Sequence, residues 1–268
     1  MHWQEDLALL ETCAREAAAI ALAHRQKGLI LNHKVGGSPV TDADLASDQH
    51  LKTRLRLARP DYGWLSEETL DTPERLETDT LFIIDPIDGT SAFLKGKPWW
   101  SLSLAVVHKA RPVAGVIYAP DLDELYSAAL GGGAHCNGQI ITPSTRQTLD
   151  QATGLADPMV FKRHTYLKPW PDDMTLLSRS SVAYRMAGVA RGRYDFIFAL
   201  SPKNEWDVAA GTLIAEEAGA KVGCMNGASY VFNRPSARLP DLICAAEPIY
   251  GQLLSQCIPL LDRPHPNP

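Results

Sequence analysis

The sequence predicts a mixed α/β protein made of two fused parts. Three observations carry that class. Apolar residues recur at helical spacing in two long N-terminal stretches, short strands and hairpins run from Ser101 past Asn137-Gly138, and a helix with small residues sits among short strands near the C-terminus. The 268 residues suffice for one large domain or two fused layers. The mixed, proline-containing stretch from Gln147 to Asp173 is the candidate join, giving subdomains 1–146 and 147–268.

The first helix is marked by Trp3, Leu7, Leu10, Ala14, Ala17, Ala18 and Ala21, with acids early, His24, Arg25 and Lys27 late, and Gly28 as the stop. Lys34 to Pro39 has loop chemistry. Thr41-Asp42-Ala43-Asp44 then opens a second helix carrying Leu45, Leu51, Leu55 and Leu57, ending at Arg59-Pro60, and Thr41-x-x-Asp44 is a capping-box pattern. Tyr62 to Ser66 reads as a short strand delivering Glu67-Glu68, and Leu81-Phe82-Ile83-Ile84 as a buried one. Pro86 should turn that strand into a loop, Gly89 should permit a sharp reversal, and Thr90-Ser91 can cap the next element.

Strands are expected at Ser101–Val107, Val113–Tyr118 and Leu125–Ala128, with Arg111-Pro112 in a turn and Asn137-Gly138 in a two-residue hairpin. The glycines at 131–133 lack a following Gly-Lys-Ser/Thr and read as a turn. Further on come a helix around Tyr184–Ala187, a strand Tyr194–Ala199, a helix Val208–Ala218 with Asp207 as its expected N-cap and Gly219 as its end, and short strands at Ala220–Cys224 and Leu242–Ala245. The proline-rich tail from Pro259 is expected to fray.

A hydrophobic content of 45%, a charged content of 21% and a net charge of −5 are those of an ordinary soluble enzyme and argue against a nucleic-acid surface. Five scattered cysteines without C-x-x-C exclude a disulfide framework and a zinc-ribbon site, so the expected compartment is the cytoplasm. No basic-then-apolar leader is visible, and no stretch approaches the roughly 20 apolar residues of a membrane span.

The acidic landmarks carry the chemistry. Glu67, Asp85, Asp88 and Asp207 each fall at the predicted end of a regular element, where a rigid scaffold can position a reactive group. The plain alternatives are an Asx turn at Asp85, a solvated pair at Glu67-Glu68, a helix cap at Asp44 and another at Asp207. Four carboxylates, with no histidine pair at ligand spacing, select oxygen-loving Mg2+ over zinc. Two acids at a strand end followed by free backbone N–H groups suit a hard cation on one side and a phosphate on the other. No G-x-S-x-G elbow supports a serine hydrolase.

Asp85-Pro86-Ile87-Asp88-Gly89-Thr90, Trp206-Asp207-x-Ala209-Ala210-Gly211 and Glu217-Ala218-Gly219 together resemble the inositol monophosphatase family, as do Ser66-Glu67-Glu68 and Pro39-Val40-Thr41-x-Ala43-Asp44 upstream. The resemblance spans nearly the whole chain in the expected order. It implies a layered αβαβα fold with a metal cluster between the halves. Carried over, Glu67, Asp85 and the Ile87 carbonyl would hold one Mg2+; Asp85, Asp88 and Asp207 a second; Glu67 and waters a third. Thr90, hydrogen-bonded to Asp44, would orient and deprotonate the attacking water, which with Glu67 makes Asp44 and Thr90 the implied catalytic groups. Gly89, Thr90, Asp88 and Asp207 would border the phosphate and substrate. Lys34 would lie on a mobile loop near the third metal. A homodimer is what the same resemblance suggests.

The implied substrate is a small phosphomonoester. Where inositol-cleaving relatives carry a glutamate seven positions before the Trp-Asp aspartate, this chain has Leu200. Gly115–Pro120 and Tyr126–Ala128 look more like the bacterial bisphosphate-nucleotide phosphatases, although Ser91–Gly96 departs from their Lys-Glu-Phe segment. The expected substrates are therefore 3′-phosphoadenosine 5′-phosphate or an inositol- or sugar-type monophosphate, with histidinol phosphate and fructose 1,6-bisphosphate as alternatives. Lys203 and Arg185 are read as solvated in preference to binding a second phosphate. The competing class is a binding protein of RNA and the transcription machinery, which the acidic balance does not support.

Overall fold

The computed structural model describes residues 3–34, 37, 39–163 and 166–261. Helix α1 (Trp3–Lys27) buries Leu7, Leu10, Ala14, Ala17, Ala18 and Ala21, and Gly28 follows it in left-handed backbone, as the sequence predicts. An antiparallel pair, β1 (Leu31–His33) and β2 (Pro39–Thr41), leads into α2 (Asp42–Ala58). Of the predicted loop between them, Gly37 donates back to the Lys34 carbonyl, while Val35, Gly36 and Ser38 lie outside the described residues. Helix α2 buries Ala43, Ser47, Leu51 and Leu55, one face at four-residue spacing. Leu45 and Leu57 were expected with them but fall on the opposite face and are exposed.

The middle of the chain forms β3 (Gly63–Ser66), β4 (Thr80–Asp88), α3 (Thr90–Leu94), β5 (Ser101–His108), β6 (Arg111–Ala119), β7 (Glu124–Ala129), β8 (Ala134–Cys136) and β9 (Gln139–Ile140). Seven strands make one sheet in chain order, with β3 and β4 parallel and the other neighbours antiparallel. Asn137 and Gly138 make the predicted hairpin turn with positive φ at both positions. The glycine turn at 131–133 is held by Glu217, whose carboxylate accepts the Gly131 and Gly133 amides at 2.8 Å each.

The remainder supplies β10 (Thr153–Leu155), α4 (Pro158–Arg163), β11 (Thr175–Leu177), α5 (Val182–Ala190), β12 (Phe196–Ala199), β13 (Lys203–Asn204), α6 (Glu205–Ala218), β14 (Ala220–Gly223), β15 (Arg238–Leu239), β16 (Leu242–Ala246) and α7 (Glu247–Leu261). A five-stranded sheet runs β11-β10-β12-β16-β14, and β13 pairs with β15.

The layers arise from period-two burial. Phe82 and Ile84 of β4 pack with α1 and α2, whereas Leu81 and Ile83 face α5 and α6. Ile197 of β12 faces the same helices, and Phe196 and Phe198 turn to α7. The result is the αβαβα stack that the resemblance implies, with α5 and α6 sandwiched between the sheets. Close approach of α6 to the large sheet depends on Gly115, where a Cβ would meet the Ala210 Cα at 3.1 Å.

Three local expectations change. Strand β4 continues through Pro86 to Asp88, because β3 pairs no further than Ile84 and the β5 register shifts between Asp85 and Asp88, so no ladder donor is needed from the proline. Arg111-Pro112 begins β6, and the turn is made by Lys109 and Ala110, both at positive φ. Helix α7 fills a stretch for which the sequence predicts no element and runs past Pro259, where fraying is expected, to Leu261: Ile249, Leu253, Cys257 and Leu260 form its buried stripe despite Gly251 and Pro259. The tail at 262–268 lies outside the described residues.

Candidate metal centre

Parallel pairing brings the first carboxylates together. Ser66 lies opposite Ile84, the Glu67 amide donates to the Ile84 carbonyl at 3.2 Å, and Glu67 therefore leaves β3 beside Asp85. Asp48 on α2 holds this strand end, accepting hydrogen bonds from Ser66 Oγ and from Thr69 Oγ1 at 2.7 Å. The third carboxylate arrives on α6. Ser103, paired with Asp85 across the sheet, donates from Oγ to the Trp206 carbonyl at 3.0 Å and pins the start of α6 against the β4–β5 edge. One oxygen each from Glu67, Asp85 and Asp207 then lie within 4.8 Å of one another.

Asp207 is not the N-cap. Helix α6 begins at Glu205, Asn204 caps it, and Asp207 sits three residues in, accepting the Asn204 amide on Oδ2 at 2.8 Å in a capping box. Asp44 repeats the arrangement on α2: its Oδ2 accepts from the Thr41 amide at 2.8 Å and from Thr41 Oγ1. Its Oδ1 accepts from Thr90 Oγ1 at 3.3 Å, so the cap and the Thr90 contact coexist. The Thr90 hydroxyl also lies 3.2 Å from the Ile87 carbonyl, and one proton serves both acceptors. Thr90 is not a cap. Gly89 at φ +95° takes that position, and Thr90 is the first residue of α3. A Cβ at Gly89 would crowd the Ser181 amide and the Trp99 carbonyl, both at 3.2 Å.

Asp88 stands apart from the three-oxygen group. Its Oδ2 accepts from Ser181 Oγ and from the Ala183 amide, each at 2.6 Å. Ser181 caps α5 by accepting the Tyr184 amide, and its Oγ lies 3.0 Å from Ser101 Oγ. Since the Ser181 proton goes to Asp88, Ser101 is the donor in that pair. The Ile87 amide donates to Asp85 Oδ1 at 3.0 Å, keeping that carboxylate at the strand end.

Concentrated negative charge sets the electrostatics. Burial, reinforced by Glu67, Asp88 and Asp207, holds the Asp85 carboxyl well above the usual range. Burial also raises Asp207, with Asp88 adding to it, and raises Asp88 against the hydrogen bonds from Ser181 and Ala183. Asp44 is raised by burial, and Glu68 is pushed up to about 7 for the same reason. Lys34 answers part of this charge, with Nζ 2.6 Å from Glu67 and 2.7 Å from Glu68, so the two glutamates are paired and not merely solvated. Burial alone would lower the Lys34 pKa; the two glutamates outweigh it. An all-oxygen carboxylate set with raised proton affinities suits a small hard divalent cation, which would replace the protons.

Beside this cluster opens a cavity of about 280 Å3 lined by Asp157, Met159, Val160, Arg185, Ala199, Leu200, Ser201 and Lys203. Leu200 therefore does face a pocket. Arg185 and Lys203, expected in solvent, are instead largely enclosed: Lys203 is 8% exposed. Asp48, Ser101, Ser103 and Ser181 carried no signal in the sequence. Single serines and a mid-helix aspartate form no pattern; only the Ser181-x-x-Tyr184 start of α5 could have been sought as a cap.

Residues 2–258 match the family model described as the inositol monophosphatase family. The chain belongs to that family. Among curated relatives, the inositol-1-monophosphatase of Mesorhizobium japonicum is 35% identical over 208 residues, 75% of this chain and 77% of the relative. The Nus factor SuhB of Pasteurella multocida is 34% identical over 233 residues, 83% of this chain and 84% of that protein. Among solved structures, the extragenic suppressor protein suhB from Bartonella henselae superposes with a TM-score of 0.81 at 27% identity, covering 93% of this chain and 97% of the other. The layered architecture is thus the one this family shares, and the acidic cluster lies where the ends of β3 and β4 meet the start of α6.

Proposed function

We propose that the protein is a magnesium-dependent phosphomonoesterase acting on a small phosphorylated metabolite. The observation that carries this reading is the convergence of Glu67, Asp85 and Asp207, from three separate elements, to within 4.8 Å beside the Gly89 turn. Membership of the inositol monophosphatase family supports it. Glu67, Asp85, Asp207, Asp88 and the Ile87 carbonyl are the groups that would hold Mg2+. Bound there, the cations would neutralise phosphoryl charge and make a water acidic enough to act as a nucleophile at neutral pH.

The chain's own residues do the rest. Asp44 accepts the Thr90 proton, which leaves lone pairs on Thr90 Oγ1 to accept from a water and fix its direction toward phosphorus. The amides of Gly89, the cap of α3, and of Thr90, its first residue, have no carbonyl of a preceding turn to bind and are available to phosphate oxygens. Ser181 and the α5 amide at Ala183 hold Asp88 in place while its other oxygen stays available. A basic surface patch together with acidic groups pointing apart would favour a binding role; the convergence of the acidic groups favours catalysis.

The test is phosphate release from 3′-phosphoadenosine 5′-phosphate, inositol 1-phosphate, fructose 1,6-bisphosphate and histidinol phosphate with Mg2+, each with and without Li+ or a chelator. Release that requires Mg2+ and falls at least about 100-fold in Asp88→Asn is expected, since the variant removes a ligand charge but little volume. Chelator-resistant release, full activity in Asp88→Asn, or no release from any compound would overturn the reading.

A further inference from the structure

We infer that Arg185 and Lys203 form a subsite for a second anionic group on the substrate, phosphate or carboxylate. This rests on the phosphatase reading and narrows it to phosphomonoesters that carry another negative charge. Both cations line the cavity beside the acidic cluster, one from α5 and one from β13. Neither has a carboxylate within salt-bridge distance among the described residues, whereas other enclosed cations do: Arg75 meets Asp71, and Lys34 meets Glu67 and Glu68. Among the described residues the guanidinium is anchored only through Nε, which donates to the Ser181 carbonyl at 3.1 Å. Its terminal nitrogens make no hydrogen bond among the described residues. Lys203 Nζ is aimed by the Ser201 carbonyl and hydroxyl, each at 2.7 Å, with a longer contact of 3.3 Å to the Pro202 carbonyl that a ligand can replace.

The two cations favour an anion over a polyol. Met159, Val160, Ala199 and Leu200 offer no side-chain acceptor; the acceptors on the wall are the Asp157 carboxylate, whose Oδ1 already takes the Met159 amide, and the Ser201 hydroxyl, which already takes Lys203 Nζ. A polyol needs acceptors as well as donors, whereas arginine and lysine provide donors and positive charge only. The two cations feel one another and are offset at longer range by Asp88, Asp207 and Asp241. These carboxylates lie beyond salt-bridge distance, so both charges face the cavity without metal, and engagement of Asp88 and Asp207 by divalent cations would weaken the offset further, leaving Asp241. An anionic substituent there restores the balance, and its bidentate approach to Arg185 gives it a direction.

The experiment compares kcat/KM for adenosine 3′,5′-bisphosphate with that for adenosine 3′-monophosphate, and for 3-phosphoglycerate with that for glycerol 1-phosphate. The enzymes are the wild type, Arg185→Leu, Lys203→Met and Leu200→Glu, the last placing a competing carboxylate in the cavity. A ratio is insensitive to the fraction of variant that folds. At least a tenfold fall in one of the ratios is expected in each variant, matching the loss of a charge-assisted hydrogen bond; the pair affected tells phosphate from carboxylate. Ratios that stay put while both rates fall together would reduce the cations to electrostatic support of Asp88 and Asp207 and overturn the proposal. Calorimetric titration of adenosine 3′,5′-bisphosphate in chelator reads the subsite without turnover. Weakening of at least tenfold in Arg185→Leu would sustain it even if no compound were hydrolysed. Equal or undetectable binding in both proteins would not.

Discussion

Thr90 illustrates how one hydroxyl can be claimed by several roles. Its oxygen lies within reach of both Asp44 and the Ile87 carbonyl, and the capping that its position suggested is done by Gly89. If the hydroxyl steers the attacking water, Thr90→Ala should lower kcat by about 10- to 100-fold with KM changed less than threefold, and Thr90→Ser should restore most of the rate. Steady-state kinetics on any turned-over substrate check this; a variant that raises KM alone would assign Thr90 to substrate binding. The Asp44 cap was legible because Thr41-x-x-Asp44 is a local pattern, whereas its contact with Thr90 was implied by the family resemblance alone. Ser181, which restrains Asp88, was not, since its meaning comes from a strand far away in the chain.

At the scale of elements, the site is a problem of packing. Helix α6 carries Asp207 to β4 only because Gly115 lets it sit against the sheet and Ser103 holds the Trp206 carbonyl. Gly115→Ala would press a methyl against the Ala210 backbone, which cannot move aside as a flexible side chain could. We expect a loss of about 1–3 kcal/mol in chemical denaturation, together with weaker Mg2+ binding by calorimetry as α6 lifts. Unchanged stability with unchanged metal affinity would show that the helix has slack. The small residues of α6 announced close packing in the sequence. Which strand they meet was not legible there, because register between a helix and a sheet is set by contacts distant along the chain.

For the whole molecule, the buried carboxylates couple folding to pH and to metal. Asp207 rises from an ordinary 3.8 to about 7 and Asp88 to about 6 in the folded chain without metal. The folded state therefore keeps protons that the unfolded chain has lost, and the stability these groups contribute is complete below about pH 3.8 and is lost as pH rises through 7. Thermal melting in chelator should show the melting temperature falling between about pH 5 and pH 7.5. Added Mg2+ should reverse the trend, its stabilisation growing with pH because it binds the deprotonated groups. A chelated protein that grows more stable through this window would contradict the assignment.

The amino-acid sequence by itself determined the helices with a regular buried face, the strands that end in acids, and the identity of Glu67, Asp85, Asp88 and Asp207. Periodicity, glycine and proline positions and acidic motifs are properties of neighbouring residues, so they can be read without a fold. Tertiary structure decided what those groups face. It turned Asp207 from a cap into the third residue of a capping box, carried β4 through Pro86, and enclosed Arg185 and Lys203 beside Leu200. Burial and pairing depend on which distant segments meet, and for an isolated arginine or lysine solvent is the ordinary expectation until a cavity wall is seen to close around it.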